Sequence, residues 1–251
     1  MTFFVRTALL ACCLGVSLQA SIQTYGFSCI TNNSGNCGLN LPPQLFVDVI
    51  GGSTTSAVVG GTSVPTIGAN QVLFRFRNIG PNASSITDVY FDDGTLLNIA
   101  SIINGTGVEY EAGANPGNLP GGNAVNFNTS AGFSADSNNP VQPNGVNPSE
   151  ALGVLFNLQG TQTYASVINS LNLSLAQPGV DVTGGLRIGI HVQGLSGGQS
   201  EALVNTGCVN CNNDVVPEPS FYGLMAVGMT GLFVAASKMR RKAVADPESN
   251  G

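Results

Sequence analysis

Apolar residues recur at every second position in five stretches of the chain. Leu45, Val47 and Val49 alternate in QLFVDVI, and Val72, Phe74 and Phe76 alternate in QVLFRFR, where Arg75 and Arg77 take the opposite face. The same period runs through Val89 and Phe91 in ITDVYF, and through Val154, Phe156 and Leu158 in GVLFNLQ. It returns in LRIGIHV with Leu186, Ile188, Ile190 and Val192. Successive side chains of a strand point to opposite sides, so this period predicts strands with one face on a core. One segment departs from it. Tyr164, Val167, Ile168 and Leu171 fall at helical spacing after Thr163, a residue type that caps helix N-termini. The pattern predicts an all-β fold, an antiparallel β-sandwich with one short helix between strands. No self-similarity at the period of a solenoid or propeller is present.

Turn chemistry divides these strands. Asp93-Gly94 predicts a tight hairpin between VYF and TLL, because Asp-Gly suits the left-handed positions of a two-residue turn. Residues 51–70 read as a wide hairpin connection. Residues 113–149 form a long Gly/Asn/Pro stretch with few apolar anchors, which predicts a mobile surface loop.

Two apolar stretches at the ends fit no strand. Residues 1–20 read as a secretory signal peptide: Arg6 supplies the positive region, TALLACCLGVSL the apolar one, and Ala20 the small residue at the cleavage position. Leu9-Leu10-Ala11-Cys12 loosely resembles a lipobox, but it would leave an apolar region of only about five residues, below the roughly 7–15 such segments need. Residues 221–237 (FYGLMAVGMTGLFVAAS) contain no charge, and Lys238, Arg240, Arg241 and Lys242 follow. As a helix, about 17 residues span roughly 26 Å, slightly short of a 30 Å hydrocarbon core. Lys238 can snorkel to make up the difference. The basic cluster predicts a cytoplasmic C-terminal flank and an ectodomain outside, in agreement with the signal peptide. The expected organisation is therefore a signal peptide (1–20), an exported β-sandwich domain (21–214), a sorting region (215–242) with a transmembrane helix, and a cytoplasmic tail (243–251).

Before the apolar span stands Val216-Pro217-Glu218-Pro219-Ser220, where two prolines hold the residues preceding them extended. The ordered combination of V-P-E-P-S, a glycine-containing span and an R-R-K cluster resembles the PEP-CTERM sorting signal of Gram-negative bacteria. The resemblance covers only about a tenth of the chain, residues 215–242, and the tail Ala243–Gly251 is longer than such signals usually carry. It implies an inner-membrane-anchored precursor, processed near Pro217, Glu218 and Pro219 by an exosortase, a multi-pass membrane cysteine protease or transpeptidase. Arg240, Arg241 and Lys242 would set its topology. It also implies a mature form at the cell surface or outside it, in bacteria that make exopolysaccharide and live in biofilms. The same motif also goes by the name of ice-binding protein C-terminal region, which describes the tag and implies nothing about ice.

Composition narrows the function. Only 9% of the 251 residues are charged, against roughly 25% in an ordinary soluble domain. Residues 21–216 hold eleven acidic and three basic residues (Arg75, Arg77, Arg187), a net charge of −8. That composition argues against nucleic acid as a partner, since neutralising phosphates takes clustered Lys and Arg. Binding of a strongly anionic polysaccharide would need a bridging cation. Outside the signal peptide four cysteines remain, Cys29, Cys37, Cys208 and Cys211. In an oxidising compartment they predict two disulfides, with three pairings open. Cys29–Cys37 with Cys208–Cys211 is favoured, because Asn32-Asn33-Ser34-Gly35-Asn36 is strong turn chemistry between the first two.

Catalytic material is scarce. The single histidine, His191, shares its strand face with Arg187 and Gln193 and reads as a surface or hydrogen-bonded residue. Glu109, Glu111, Glu150 and Glu201 are too scattered for spacing to propose a glycosidase pair. No nucleophile elbow, phosphate loop or H-E-x-x-H motif occurs, and no cofactor or metal ligand set is assigned. Asp88 with Asp92-Asp93-Gly94 could offer a hard-cation site around a turn. The expected function is a non-enzymatic structural role at the surface, in a matrix of exopolysaccharide. The alternatives are a carbohydrate-binding β-sandwich module, calcium-dependent through Asp88–Asp93, and, behind it, a hydrolase.

Overall fold

In a computed structural model, the residues described are 21–210, apart from 36, 38–39, 52–56, 65, 93–96 and 177–181. The signal peptide with Ala20, Cys211, and the whole sorting region 215–242 with its tail lie outside them. Among the described residues no helix is long and apolar enough to cross a membrane, a statement that does not extend to strands.

Among the described residues twelve strands follow one another: β1 (Ser21–Cys29), β2 (Leu45–Gly51), β3 (Ala57–Val59), β4 (Thr62–Val64), β5 (Gln71–Asn78) and β6 (Ser85–Asp92). Then come β7 (Leu97–Asn104), β8 (Tyr110–Ala112), β9 (Ser134–Ser137), β10 (Ala151–Leu158), β11 (Arg187–Gln193) and β12 (Glu201–Asn210). Two helices interrupt them, a single turn α1 (Val141–Asn144) and α2 (Tyr164–Leu175). Ten strands make one antiparallel sheet in the order β7-β10-β5-β2-β1-β12-β11-β6-β9-β8, and β3 pairs with β4 in a separate hairpin.

The fold is antiparallel β as expected, but it is one sheet where a sandwich would have two. Phe74 on β5 and Phe91 on β6 have four strands between them in the sheet, yet their rings meet edge to face at 5.1 Å. Phe156 on β10 packs against both, at 5.5 and 4.8 Å. The sheet therefore folds over so that its two halves share one interior, and it comes close to closing as a barrel. At the seam, the Asn104 carboxamide on β7 takes the place of ladder bonds: Nδ2 donates to the Tyr110 carbonyl (3.2 Å) and Oδ1 accepts the Tyr110 N–H (3.0 Å).

The period-2 residues read from the sequence line this interior. Leu45, Val47, Val49, Val72, Phe74, Phe76, Val154, Phe156, Ile188 and Ile190 all belong to the main core. The helix forms where its periodicity places it. Thr163 caps it, accepting the Ser166 N–H while the Ser166 hydroxyl accepts the Thr163 N–H, and Val167, Ile168 and Leu171 join the same core. Tyr164 lies where a Cβ on Gly51 would stand, 2.0 Å from the ring, so the glycine ending β2 makes room for it.

Two expectations about connections fail. Asp93-Gly94 does not close a hairpin: β6 lies between β11 and β9, whereas β7 is the far edge strand beside β10. The chain crosses from one half of the sheet to the other there, and local turn chemistry carries no information about which strands then pair. The 113–149 stretch is not a bare loop. It contributes β9 and α1, and Leu119, Phe127, Ala135 and Val146 are buried. Leu119 and Phe127 pack with Tyr90 and Ala202 in a small core on the outer face of the sheet. A Cβ on Gly189 would come within 2.7 Å of Leu119 and 3.1 Å of Phe127, so glycine there lets the segment lie flat. The 51–70 connection does join paired strands, β2 and β5, and its β3–β4 hairpin covers Ile50, Leu73 and Leu155 on the opposite half.

Candidate functional site

Because side chains alternate along β6, Val89 and Phe91 enter the core while Asp88, Tyr90 and Asp92 face outward, under the 113–130 segment. Cross-strand register then aligns four ionisable residues in one lateral row. His191 on β11 stands opposite Asp88, Asp88 opposite Asp136 on β9, and Asp136 opposite Glu111 on β8. Asp88 is only 2% exposed. Its Oδ2 accepts the Thr87 hydroxyl (2.9 Å) and lies 2.9 Å from His191 Nδ1, which makes Nδ1 the protonated ring nitrogen. Its Oδ1 is buried and accepts no hydrogen bond from any donor.

The two aspartates act on each other. Burial first, and then the neighbouring Asp88 charge and carboxyl, push Asp136 up to about 6, against a backbone N–H from Asn115 that favours its charged form. Glu111 adds to the rise. Tyr90 and Tyr110 are raised by burial and then by the charges of Asp88 and Asp136. The Tyr90 hydroxyl donates to the Pro116 carbonyl (3.1 Å), which ties the covering segment to this row.

Asp92 belongs to a different group. Arg187 Nε donates to it at 3.1 Å, and the same guanidinium donates to the carbonyls of Val125 (2.7 Å) and Asn126 while lying over Phe127. Asp88 and Asp92 are thus separate outward positions on one strand and do not surround a turn, which corrects the cation site expected at Asp88–Asp93; Asp93 lies outside the described residues. Among the described residues no three His, Cys, Asp or Glu side chains meet at metal-holding spacing. His191 is hydrogen-bonded, as its strand position suggested.

The favoured cysteine pair comes together: Cys29 and Cys37 stand at disulfide distance, Cα atoms 6.0 Å apart. Glu201 on β12 fixes the loop they close, accepting the Thr31 hydroxyl and the Ser34 N–H, each at 2.6 Å. Burial alone would raise the Glu201 pKa, but these donors hold it below the ordinary carboxylate value. Cys208 is also disulfide-bonded, and its expected partner Cys211 lies outside the described residues. Next to this loop is a cavity of about 320 Å³, lined by Ser34, Asn40, Leu41, Asn82, Ala83 and Gly194–Ser196.

The sorting residues Pro217, Glu218, Pro219, Arg240, Arg241 and Lys242 all lie outside the described residues. Asp136 is the member of the acidic row that sequence reasoning missed. Its strand is four residues long and follows a Gly/Asn/Pro stretch, so no periodicity marks its partner. Comparison with protein-family models, curated proteins and solved structures finds no match to this chain.

Proposed function

We propose that this is an exported surface protein, sorted and processed through its C-terminal signal, whose β-domain has a non-enzymatic structural role in an extracellular, exopolysaccharide-rich matrix. The observation that carries the export half is the Cys29–Cys37 pair, because such cross-links form and persist in oxidising compartments. The sequence supports the sorting half with Pro217-Glu218-Pro219, the uncharged 221–237 span and the Arg240-Arg241-Lys242 stop. The span holds the extended motif beside a membrane-embedded exosortase, and the basic stop keeps the tail cytoplasmic. The acidic, thinly charged ectodomain suits a solvated matrix component.

Replacing Pro217, Glu218 and Pro219 together by alanine in the native host tests the reading. Export continues and uncleaved precursor accumulates in the membrane. Unchanged processing of the triple variant would overturn it.

The cavity beside the Cys29–Cys37 loop favours a second reading, binding of a neutral glycan, since its lining offers amide and hydroxyl groups and no charge. A glycan array separates the two, with and without chelator: a matrix scaffold gives no discrete hits.

A further inference from the structure

Between residues 21 and 210 the chain has no lysine and three arginines. One of them is used inside the fold: Arg187 is 6% exposed and donates to Asp92 and to the Val125 carbonyl. The other two alternate with the core residues Phe74 and Phe76 on β5, so both face outward. Cross-strand register sets Arg75 opposite Asp48 and Arg77 opposite Phe46 on β2. Asp48 is buried and receives both guanidinium groups, whose side chains stay 25% and 31% exposed. Two cations thus share one anion, and the part of the cluster that reaches solvent is cationic. Arg77 donates to Asp48 through Nε (2.6 Å) and Nη2 (2.9 Å), and its Nη1 has no partner among the described residues. Its guanidinium lies over the Phe46 ring, 5.6 Å from the centroid. Arg75 Nη1 is held by the Val58 carbonyl (3.0 Å), and Val58 itself is 49% exposed. Glu150, next to the Arg77 partner Ala151, is engaged by Asn147 and does not compete.

We infer that Arg75 and Arg77, aligned by Asp48, form a docking surface for the carboxylates of a uronate-bearing polysaccharide. The inference rests on the matrix role proposed above and gives that matrix a chemistry. A guanidinium presents paired N–H groups that match the two oxygens of a carboxylate. Asp48 and Phe46 fix these forks in advance, so docking costs little further side-chain ordering. Val58 supplies an apolar neighbour for the C–H face of the sugar ring. The rest of the domain selects against crowded anions: with a net charge of −8 it repels nucleic acid and anionic lipid surfaces. A polymer with spaced carboxylates escapes that field, because charges farther off than about 8 Å are largely screened at physiological ionic strength. No bridging cation is needed at this patch. Recognition is of the carboxylate and not of one sugar, so weak binding spreads over uronate-bearing glycans as a class.

The test uses the full chain in detergent, with chelator present. The probe is a hyaluronan oligosaccharide, which carries a carboxylate on every second sugar. The wild type binds it, and loses most of that binding at high salt or when the carboxylates are methyl-esterified. Arg77→Gln and Arg75→Gln each weaken binding by about tenfold, while each leaves Asp48 one arginine partner. Gln199→Glu lowers the net charge by the same amount at an exposed turn and leaves binding unchanged. Absence of wild-type binding, equal binding of the methyl ester, or unchanged binding by both arginine variants would overturn the inference. So would an equal loss in Gln199→Glu, which would make the effect one of overall charge. Equal capture of a polyglutamate peptide would make the partner a protein and overturn it too. Each of these outcomes strikes the patch alone, because processing of the Pro217–Pro219 variant reads the sorting signal separately.

Discussion

The Asn104 side chain hydrogen-bonds both backbone polar groups of Tyr110, at 3.0 and 3.2 Å, and so joins the two edge strands of a ten-stranded sheet. Edge strands expose unpaired N–H and C=O groups that invite pairing with other chains. A carboxamide can satisfy one of each at once, through its N–H donors and its carbonyl oxygen.

Asn104→Ala removes both bonds and leaves the seam open. At a net value near 1 kcal/mol per hydrogen bond, denaturant unfolding should show a loss of about 1–2 kcal/mol. Asn104→Asp should lose a similar amount at neutral pH, because it cannot donate to the Tyr110 carbonyl.

Asp48 supports the other half of the sheet. Only 1% exposed, it accepts bonds from Thr24 (2.8 Å), Arg75 (2.9 Å) and Arg77 (2.6 Å). Burial would raise its pKa, but the Arg77 and Thr24 hydrogen bonds and both arginine charges win and hold it below the ordinary value. A depressed folded pKa contributes stability that is present above the unfolded value, 3.8, and lost as pH falls through the folded one. Asp48→Asn should flatten that acid limb and cost about 2 kcal/mol at neutral pH, less than a fully buried pair because the arginines reach solvent. Urea titrations at several pH values check both.

Gly189 and Gly207 make a matched pair for testing the covering segment. A methyl on Gly189 would press on Leu119 and Phe127, whereas one on Gly207 meets nothing within 4 Å. Gly189→Ala should cost about 1–3 kcal/mol by overpacking and expose the 113–130 segment to protease. Gly207→Ala should be close to neutral. Limited proteolysis with mass mapping distinguishes them.

The sequence made the strands and the helix legible because burial on one face imposes a period, and Val47, Phe74, Phe156 and Ile190 keep it. It could not show closure of the sheet, since alternation says which face is inside and never which strand is the neighbour. Asp93-Gly94 misled for that reason. The Gly/Asn/Pro segment misled for another: its anchors, Leu119 and Phe127 among them, are widely spaced and meet a surface of Gly189 and Ala202 on strands far along the chain. The Asp88–Asp136 pair was half legible. Asp88 was marked as a candidate ligand, but its partner arrives through β9, which the sequence presents as loop.

Cys29 and Cys37 close a short ring, which constrains the unfolded chain modestly. Replacing both by serine should cost on the order of 2 kcal/mol. Thiol titration of denatured, non-reduced surface protein should find no free thiol. Two or more reactive thiols would contradict the export reading on chemical grounds.

The central claim, that the chain is exported and cut at its C-terminal motif, is tested most directly by the intact mass of the protein recovered from the surface of its native host. The mass should correspond to a chain that begins at Ser21, carries its cysteines oxidised, and ends close to Pro219. A mass that retains Lys238 through Lys242 would show the C-terminal region to be an anchor only, and would contradict processing by an exosortase.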